Sequence, residues 1–98
     1  MFINPKVVQE ETKESLVNHF NYNQVQSMYD SLEFNPNKSL QQIEEVERLL
    51  LDTLSSITEE IYRSYDNNQI DEGFHYLEIL EYNCKTMHSN LIKLYENM

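Results

Sequence analysis

The fold is decided by residues 39–66, whose sequence is SLQQIEEVERLLLDTLSSITEEIYRSYD. The stretch has no Gly or Pro, and Ser39 with Gln42 fits the capping box that starts many helices. Its apolar residues recur every three or four positions, which is the spacing of one helix face. We therefore predict one helix of about 28 residues, about 40 Å long. Its apolar stripe consists of Leu40, Ile43, Val46, Leu50, Leu54, Ile57 and Ile61, widened by Leu49, Leu51 and Tyr62.

A second long helix is expected after a short break at Asn67 and Asn68, since Asn tolerates the left-handed conformation that ends helices. This helix should begin near Ile70. Two long helices joined by so few residues lie antiparallel, so the sequence predicts an all-α fold built on an antiparallel helical hairpin, about 39–66 and 70–97. The second helix carries an almost complete heptad repeat, with Ile70, Leu77, Cys84, Leu91 and Met98 at position a and Gly73, Leu80, Met87 and Leu94 at position d.

The first 38 residues are expected to add one or two shorter helices, which makes a three- or four-helix bundle and a single domain, residues 1–98. Asn4 and Pro5 suit a helix start. On one straight helix the two apolar sets of this segment would point about a third of a turn apart, whereas a break at residues 21–23 gives them a common face. We favour two helices, 5–20 and 24–33. The sets are Leu16, Val17 and Phe20, then Val25, Met28, Tyr29 and Leu32.

Composition limits the classes of partner. The chain has 17 acidic and 7 basic residues, a formal net charge of −10, and the stretch 39–66 is its most acidic part. No basic patch is visible, so we expect no nucleic-acid partner. No apolar run approaches the roughly 20 residues of a membrane span, and the N-terminus lacks signal-peptide features, so we expect no membrane association and a cytoplasmic protein. Many Asn and Tyr without any Ala indicate an AT-rich genome, such as that of a low-GC bacterium, its phage or a plasmid.

Catalytic and metal-binding patterns are weak. Glu72-x-x-His75 is half of a helical di-iron motif, but it occurs once. His88 invites comparison with histidine phosphotransfer bundles, yet no Gly follows it and Lys93 lies five residues on. Cys84, the only cysteine, falls inside the heptad seam, where a thiol behaves as a small apolar group. We therefore predict a protein that is not an enzyme, with no cofactor and no metal; a phosphotransfer-like bundle is the lesser alternative.

Glu47 and His88 are predicted to form a structural polar pair. Glu47 lies within the apolar stripe of the first long helix. If the turn centres near residue 68, position 47 faces about position 89 on the second helix. A carboxylate at the edge of a core needs a partner, since burying an isolated charge is costly. His88 is the residue placed to supply one.

The second long helix also has a second face, formed by His75, Ile79, Tyr82 and Thr86. This face points away from the heptad seam, and two explanations are open for it. Either the N-terminal helices cover it, or it docks on another chain, since Tyr and apolar residues rimmed by Glu are typical of interface centres.

In shape alone, a small acidic helical hairpin resembles the flagellar and type III export chaperones and the small secreted hairpins of type VII systems. The latter carry a Trp-x-Gly turn, whereas Asp66-Asn67-Asn68-Gln69 stands at the turn here. We assign no family. The leading hypothesis is a protein–protein interaction module, acting as adaptor, chaperone or inhibitor, with another protein as partner and a homodimer left open. The alternative is an acidic DNA mimic that inhibits a nucleic-acid-binding protein.

Overall fold

The computed structural model describes residues 16–97, and within this range the chain is helical and contains no strand. Three helices follow one another: α1 comprises Tyr22–Glu33, α2 comprises Leu40–Asp66 and α3 comprises Glu72–Glu96. Residues 16–19 are helical as well. The long helices α2 and α3 pack against each other along their lengths and form the predicted hairpin. The short helix α1 packs mainly on α2.

The start of α2 confirms the predicted capping box. The backbone amide of Gln42 donates to the Ser39 hydroxyl oxygen at 3.2 Å, and the Ser39 amide donates to the Gln42 side-chain oxygen at 2.8 Å. Two of the amides that every helix start leaves without a backbone acceptor are thereby satisfied. This arrangement fixes the first residue of the helix.

The turn between α2 and α3 is closed by asparagine, as predicted. Asn68 adopts the left-handed conformation with a φ of 57°. The amide of Gln69 then donates back to the Ser64 carbonyl at 2.8 Å, which satisfies an acceptor at the end of α2. The chain reverses here within a few residues, and α3 runs back along α2.

The start of α3 differs from the prediction. The helix begins at Glu72, two residues after Ile70, because the Asp71 side chain accepts a 3.0 Å hydrogen bond from the Phe74 amide and acts as the cap. Ile70 lies before the helix and is exposed, so it does not occupy the first a position of the heptad. Met98, assigned to the last a position, lies outside the described residues.

The core of the hairpin follows the predicted seam, but the stripe on α2 is narrower than predicted. Leu40, Leu51 and Tyr62 are exposed, while Thr53 is buried. Thr53 can be buried because its hydroxyl donates to the Phe20 carbonyl at 2.9 Å. The buried face of α2 is therefore turned toward the N-terminal residues. The six most deeply buried side chains are Ile43, Leu50, Ile57, Leu80, Cys84 and Leu91.

The N-terminal segment is broken where the sequence indicated. Asn21 has a φ of 57°, and α1 begins directly after it at Tyr22 rather than at residue 24. The break turns the chain so that Phe20 and Val25 both reach the same core. The predicted helix 5–20 can be compared only over residues 16–20, since residues 5–15 lie outside the described range.

Candidate interaction surfaces

The outer face of α3, made of His75, Ile79, Tyr82 and Thr86, is exposed. Ile79 retains 54% and Tyr82 71% of its full accessible surface. Residues 16–34 do not bury this face. Within the described range, the first of the two explanations, cover by the N-terminal helices, therefore does not apply. The face lies on the side of α3 that points away from the buried seam.

The polar groups on this face are bonded within α3. His75 Nδ1 lies 3.1 Å from Glu78 Oε1, and the Thr86 hydroxyl donates to the Tyr82 carbonyl at 3.1 Å. Both contacts join residues three or four positions apart on one helix. The apolar side chains between them are thus available for contact without breaking a bond to another helix.

Glu47 and His88 lie together across the hairpin. His88 Nε2 is 3.6 Å from Glu47 Oε2, and the two side chains retain 31% and 28% of their accessible surface. Tyr95 lies beside this pair. Its pKa is raised by burial and by the neighbouring carboxylates of Glu47 and Glu44. At this degree of exposure an ion pair of a charged His88 adds at most about 1 kcal/mol to stability.

Cys84 lies inside the seam between α2 and α3, as the heptad predicted, and is completely inaccessible. Burial raises the pKa of its thiol to about 11. Since the thiolate is the reactive form of cysteine, this thiol is poorly suited to nucleophilic chemistry at neutral pH. Among residues 16–97, no group of three or more His, Cys, Asp or Glu side chains lies close enough to hold a metal ion.

A second exposed apolar surface was not anticipated from the sequence. The two grooves between α2 and α3 differ. One is occupied by the N-terminal segment, as shown by the bond from Thr53 to Phe20 and by a 2.8 Å bond from the Asn90 amide to the Tyr29 hydroxyl. Residues 16–34 do not cover the other, which we call the open groove. Its α2 wall comprises Glu47, Leu51, Leu54, Thr58 and Tyr62, and its α3 wall includes Glu81 and His88.

Helix geometry places this surface opposite the N-terminal segment. Tyr62 follows Thr53 by nine residues, which corresponds to about two and a half turns, so the two side chains point to opposite sides of α2. A shallow depression is lined by Leu51, Leu54 and Tyr62 together with Ser55, Thr58 and Glu59. Thr58 donates to Glu81 at 2.8 Å and links the two walls. The sequence did contain a sign of this surface. Leu51 and Tyr62 lie at the edge of the apolar stripe of α2, and we had assigned them to the core.

Fold and surfaces together define an all-α protein with an acidic helical hairpin, one groove of which holds residues 16–34. No protein-family model, curated protein or solved structure matches the chain. Within the part of the chain that the structure describes, no helix combines the length and apolar character needed to cross a membrane.

Proposed function

We propose that the protein is a non-enzymatic interaction module of the cytoplasm of a low-GC bacterium, or of its phage or plasmid, acting as an adaptor, chaperone or inhibitor. It binds another protein through the outer face of α3. The observation that carries this proposal is the exposure of Ile79 and Tyr82 side by side, one helical turn apart, on a helix whose opposite face is fully used in the core.

The chemistry of this face defines the kind of contact. Tyr is enriched at the centre of protein interfaces because it buries a large apolar ring at little cost in side-chain entropy. Glu78, 3.1 Å from His75, lies at one end, and Lys85 follows Tyr82 by three positions, so the rim of the face carries both signs of charge. The apolar centre spans only about one helical turn, so a partner that uses this face alone buries a small area, typical of weak or transient complexes.

The alternative, a DNA mimic, rests on the net charge of −10. A mimic needs its carboxylates free and arranged in rows. Here Arg63 lies 2.9 Å from Glu60 and 3.8 Å from Glu59, and Lys85 lies 3.5 Å from Glu81. These cations interrupt the rows of negative charge that a DNA mimic needs. They therefore favour a partner that binds through the outer face of α3 over a nucleic-acid-binding protein.

The test begins with capture of the partner from cells of the source organism by the full chain, followed by measurement of its affinity. The variant Ile79→Ala/Tyr82→Ala should bind the captured partner at least tenfold more weakly. The matched control is Ile70→Ala/Tyr65→Ala, which removes an isoleucine and a tyrosine of comparable exposure near the turn between α2 and α3 and should leave the affinity unchanged. Equal affinity of the α3 variant and the natural chain would contradict the proposal.

A further inference from the structure

We infer that the open groove is a second binding site, which accepts one amphipathic helix from another protein, with an apolar ridge flanked by Lys and Arg. This inference goes beyond the proposed function, because it concerns a different surface on a different side of the hairpin. It stands or falls independently of Ile79 and Tyr82.

The dimensions of the groove fit a helix. Tyr62 lies 15 positions after Glu47 on the α2 wall, which corresponds to about 22 Å or about four helical turns. Glu47, Leu51, Leu54, Thr58 and Tyr62 are spaced by three or four residues, so they form one continuous line on one side of α2. An amphipathic helix presents its own apolar residues at the same spacing and can lie along that line.

The apolar surface in the groove is incompletely covered. Leu51 retains 40% and Tyr62 66% of its accessible surface, and Leu54 is only partly buried. The hairpin already binds an amphipathic helix on its other side, where Val25, Tyr29 and Leu32 hold α1 against the core. The open groove offers the same kind of surface without such a helix among residues 16–97.

The charge of the groove selects the partner. α2 contains seven acidic and two basic residues, the highest excess of carboxylates in the chain. Glu47 lies on the α2 wall opposite His88, Glu81 lies on the α3 wall opposite Thr58, and Glu59 borders the depression beside Tyr62. Arg63 is held by Glu60 at 2.9 Å and reaches Glu59 only at 3.8 Å, and Lys85 reaches Glu81 at 3.5 Å. The two longer contacts are exposed, so a partner's Lys or Arg can replace them at Glu59 and Glu81.

A second copy of the chain is a poorer occupant. Association of two copies through this groove would bring two α2 helices together, each with an excess of five negative charges. Like charges across an interface oppose association, whereas a basic helix is attracted. The two occupants therefore respond to salt in opposite directions, since added salt weakens attraction between opposite charges and weakens repulsion between like charges.

The experiment uses the full chain and three labelled synthetic peptides of about 15 residues. The first is an amphipathic helix with Leu on one face and Lys on both flanks. The second replaces every Lys by Glu, and the third is a scrambled sequence of the first without helical periodicity. Fluorescence anisotropy gives the dissociation constants at low and at moderately high salt. Sedimentation equilibrium of the chain alone, at the same two salt concentrations, measures self-association.

The Lys peptide is expected to bind at least tenfold more tightly than either control peptide, and its affinity should fall with salt. The variant Leu51→Ser/Tyr62→Ser should weaken this binding at least tenfold. Ile79→Ser/Tyr82→Ser, the matched change on the outer face of α3, should leave it unchanged. In the natural chain, nuclear magnetic resonance shifts on peptide addition should map to Leu51, Thr58 and Tyr62, a readout that does not depend on any variant folding.

Three results would overturn the inference. The first is equal binding of the Lys and Glu peptides or of the scrambled peptide, which means that neither charge nor amphipathicity is recognised. The second is shifts that map to Ile79 and Tyr82 instead of the groove. The third is a dimer that strengthens with salt and is abolished by Leu51→Ser/Tyr62→Ser, which identifies a second copy as the occupant.

Discussion

Asn90 and Tyr29 are joined by a 2.8 Å hydrogen bond between the side-chain amide of α3 and the hydroxyl of α1. The bond spans 61 positions in the sequence and is partly buried. Together with the bond from Thr53 to the Phe20 carbonyl, it fixes residues 16–34 in one groove of the hairpin. The position of this segment determines which surfaces of the hairpin are left to bind other molecules.

Tyr29→Phe removes the hydroxyl and leaves the Asn90 amide without this acceptor. We expect the free energy of unfolding to fall by about 1–2 kcal/mol, because a part-buried donor left without a partner costs more than the net value of the bond. Urea denaturation followed by circular dichroism measures the change. Tyr82→Phe, the same change at an exposed position, should alter stability by less than about 0.5 kcal/mol. Equal losses in the two variants would rule out a specific role for the Asn90 bond.

Ser39→Ala tests the capping box of α2. Removal of the Ser39 hydroxyl deprives the Gln42 amide of its acceptor, and loss of such a cap costs about 1 kcal/mol. Chemical denaturation gives the change in the free energy of unfolding. Ser55→Ala, an exposed Ser in the middle of α2, is the control and should be neutral or slightly stabilising because Ala favours the helix. A neutral Ser39→Ala would show that the cap does not contribute.

Glu47→Gln tests the contact with His88. Urea denaturation of the natural chain, Glu47→Gln, His88→Gln and the double variant gives the coupling free energy between the two side chains. The two losses of stability should be non-additive by less than about 1 kcal/mol, since both side chains retain access to water. Strictly additive losses would show that the contact contributes nothing to stability.

Cys84→Ala tests the buried thiol through alkaline stability. In the unfolded chain the thiol ionises near its ordinary pKa of 9.0, whereas in the fold its pKa is about 11. Between these values the unfolded chain has released the proton and the folded chain retains it, so stability decreases as pH rises. The natural chain should therefore lose up to about 2 kcal/mol more than Cys84→Ala between pH 9 and 11.

The pKa values of Tyr22 and Tyr95 are also raised, mainly by burial. Both residues are present in the natural chain and in Cys84→Ala, so their contributions cancel in the comparison. Parallel stability curves for the natural chain and Cys84→Ala would contradict the burial of the thiol. The measurement therefore also checks the register of the heptad seam, because Cys84 is one of its a positions.

The hairpin could be predicted because its signals are local. The capping box at Ser39, the Asn68 turn and the seam from Leu77 to Leu91 each depend on residues that are neighbours in sequence or on one helix. That Glu47 and His88 meet across the hairpin was expected from the position of the turn and the register of the two helices. Helix boundaries were less accurate: Asp71 proved a stronger start signal than the apolar Ile70.

The open groove could not be predicted because it depends on where the N-terminal segment lies. Periodicity shows that Leu51 and Tyr62 adjoin the apolar stripe of α2, but not which flank of the stripe is covered. Thr53 lies on the opposite flank of the stripe, and it is buried there because its hydroxyl donates to the Phe20 carbonyl. A polar residue is thereby buried while two apolar ones are exposed, the reverse of what side-chain polarity alone predicts.

We propose that the outer face of α3 binds another protein, and the affinity of the captured partner for Ile79→Ala/Tyr82→Ala tests this most directly. Because both residues are exposed, each substitution should change the free energy of unfolding by less than about 0.5 kcal/mol. The dissociation constant of the variant should nevertheless rise at least tenfold. An unchanged dissociation constant in a normally folded variant would contradict the account.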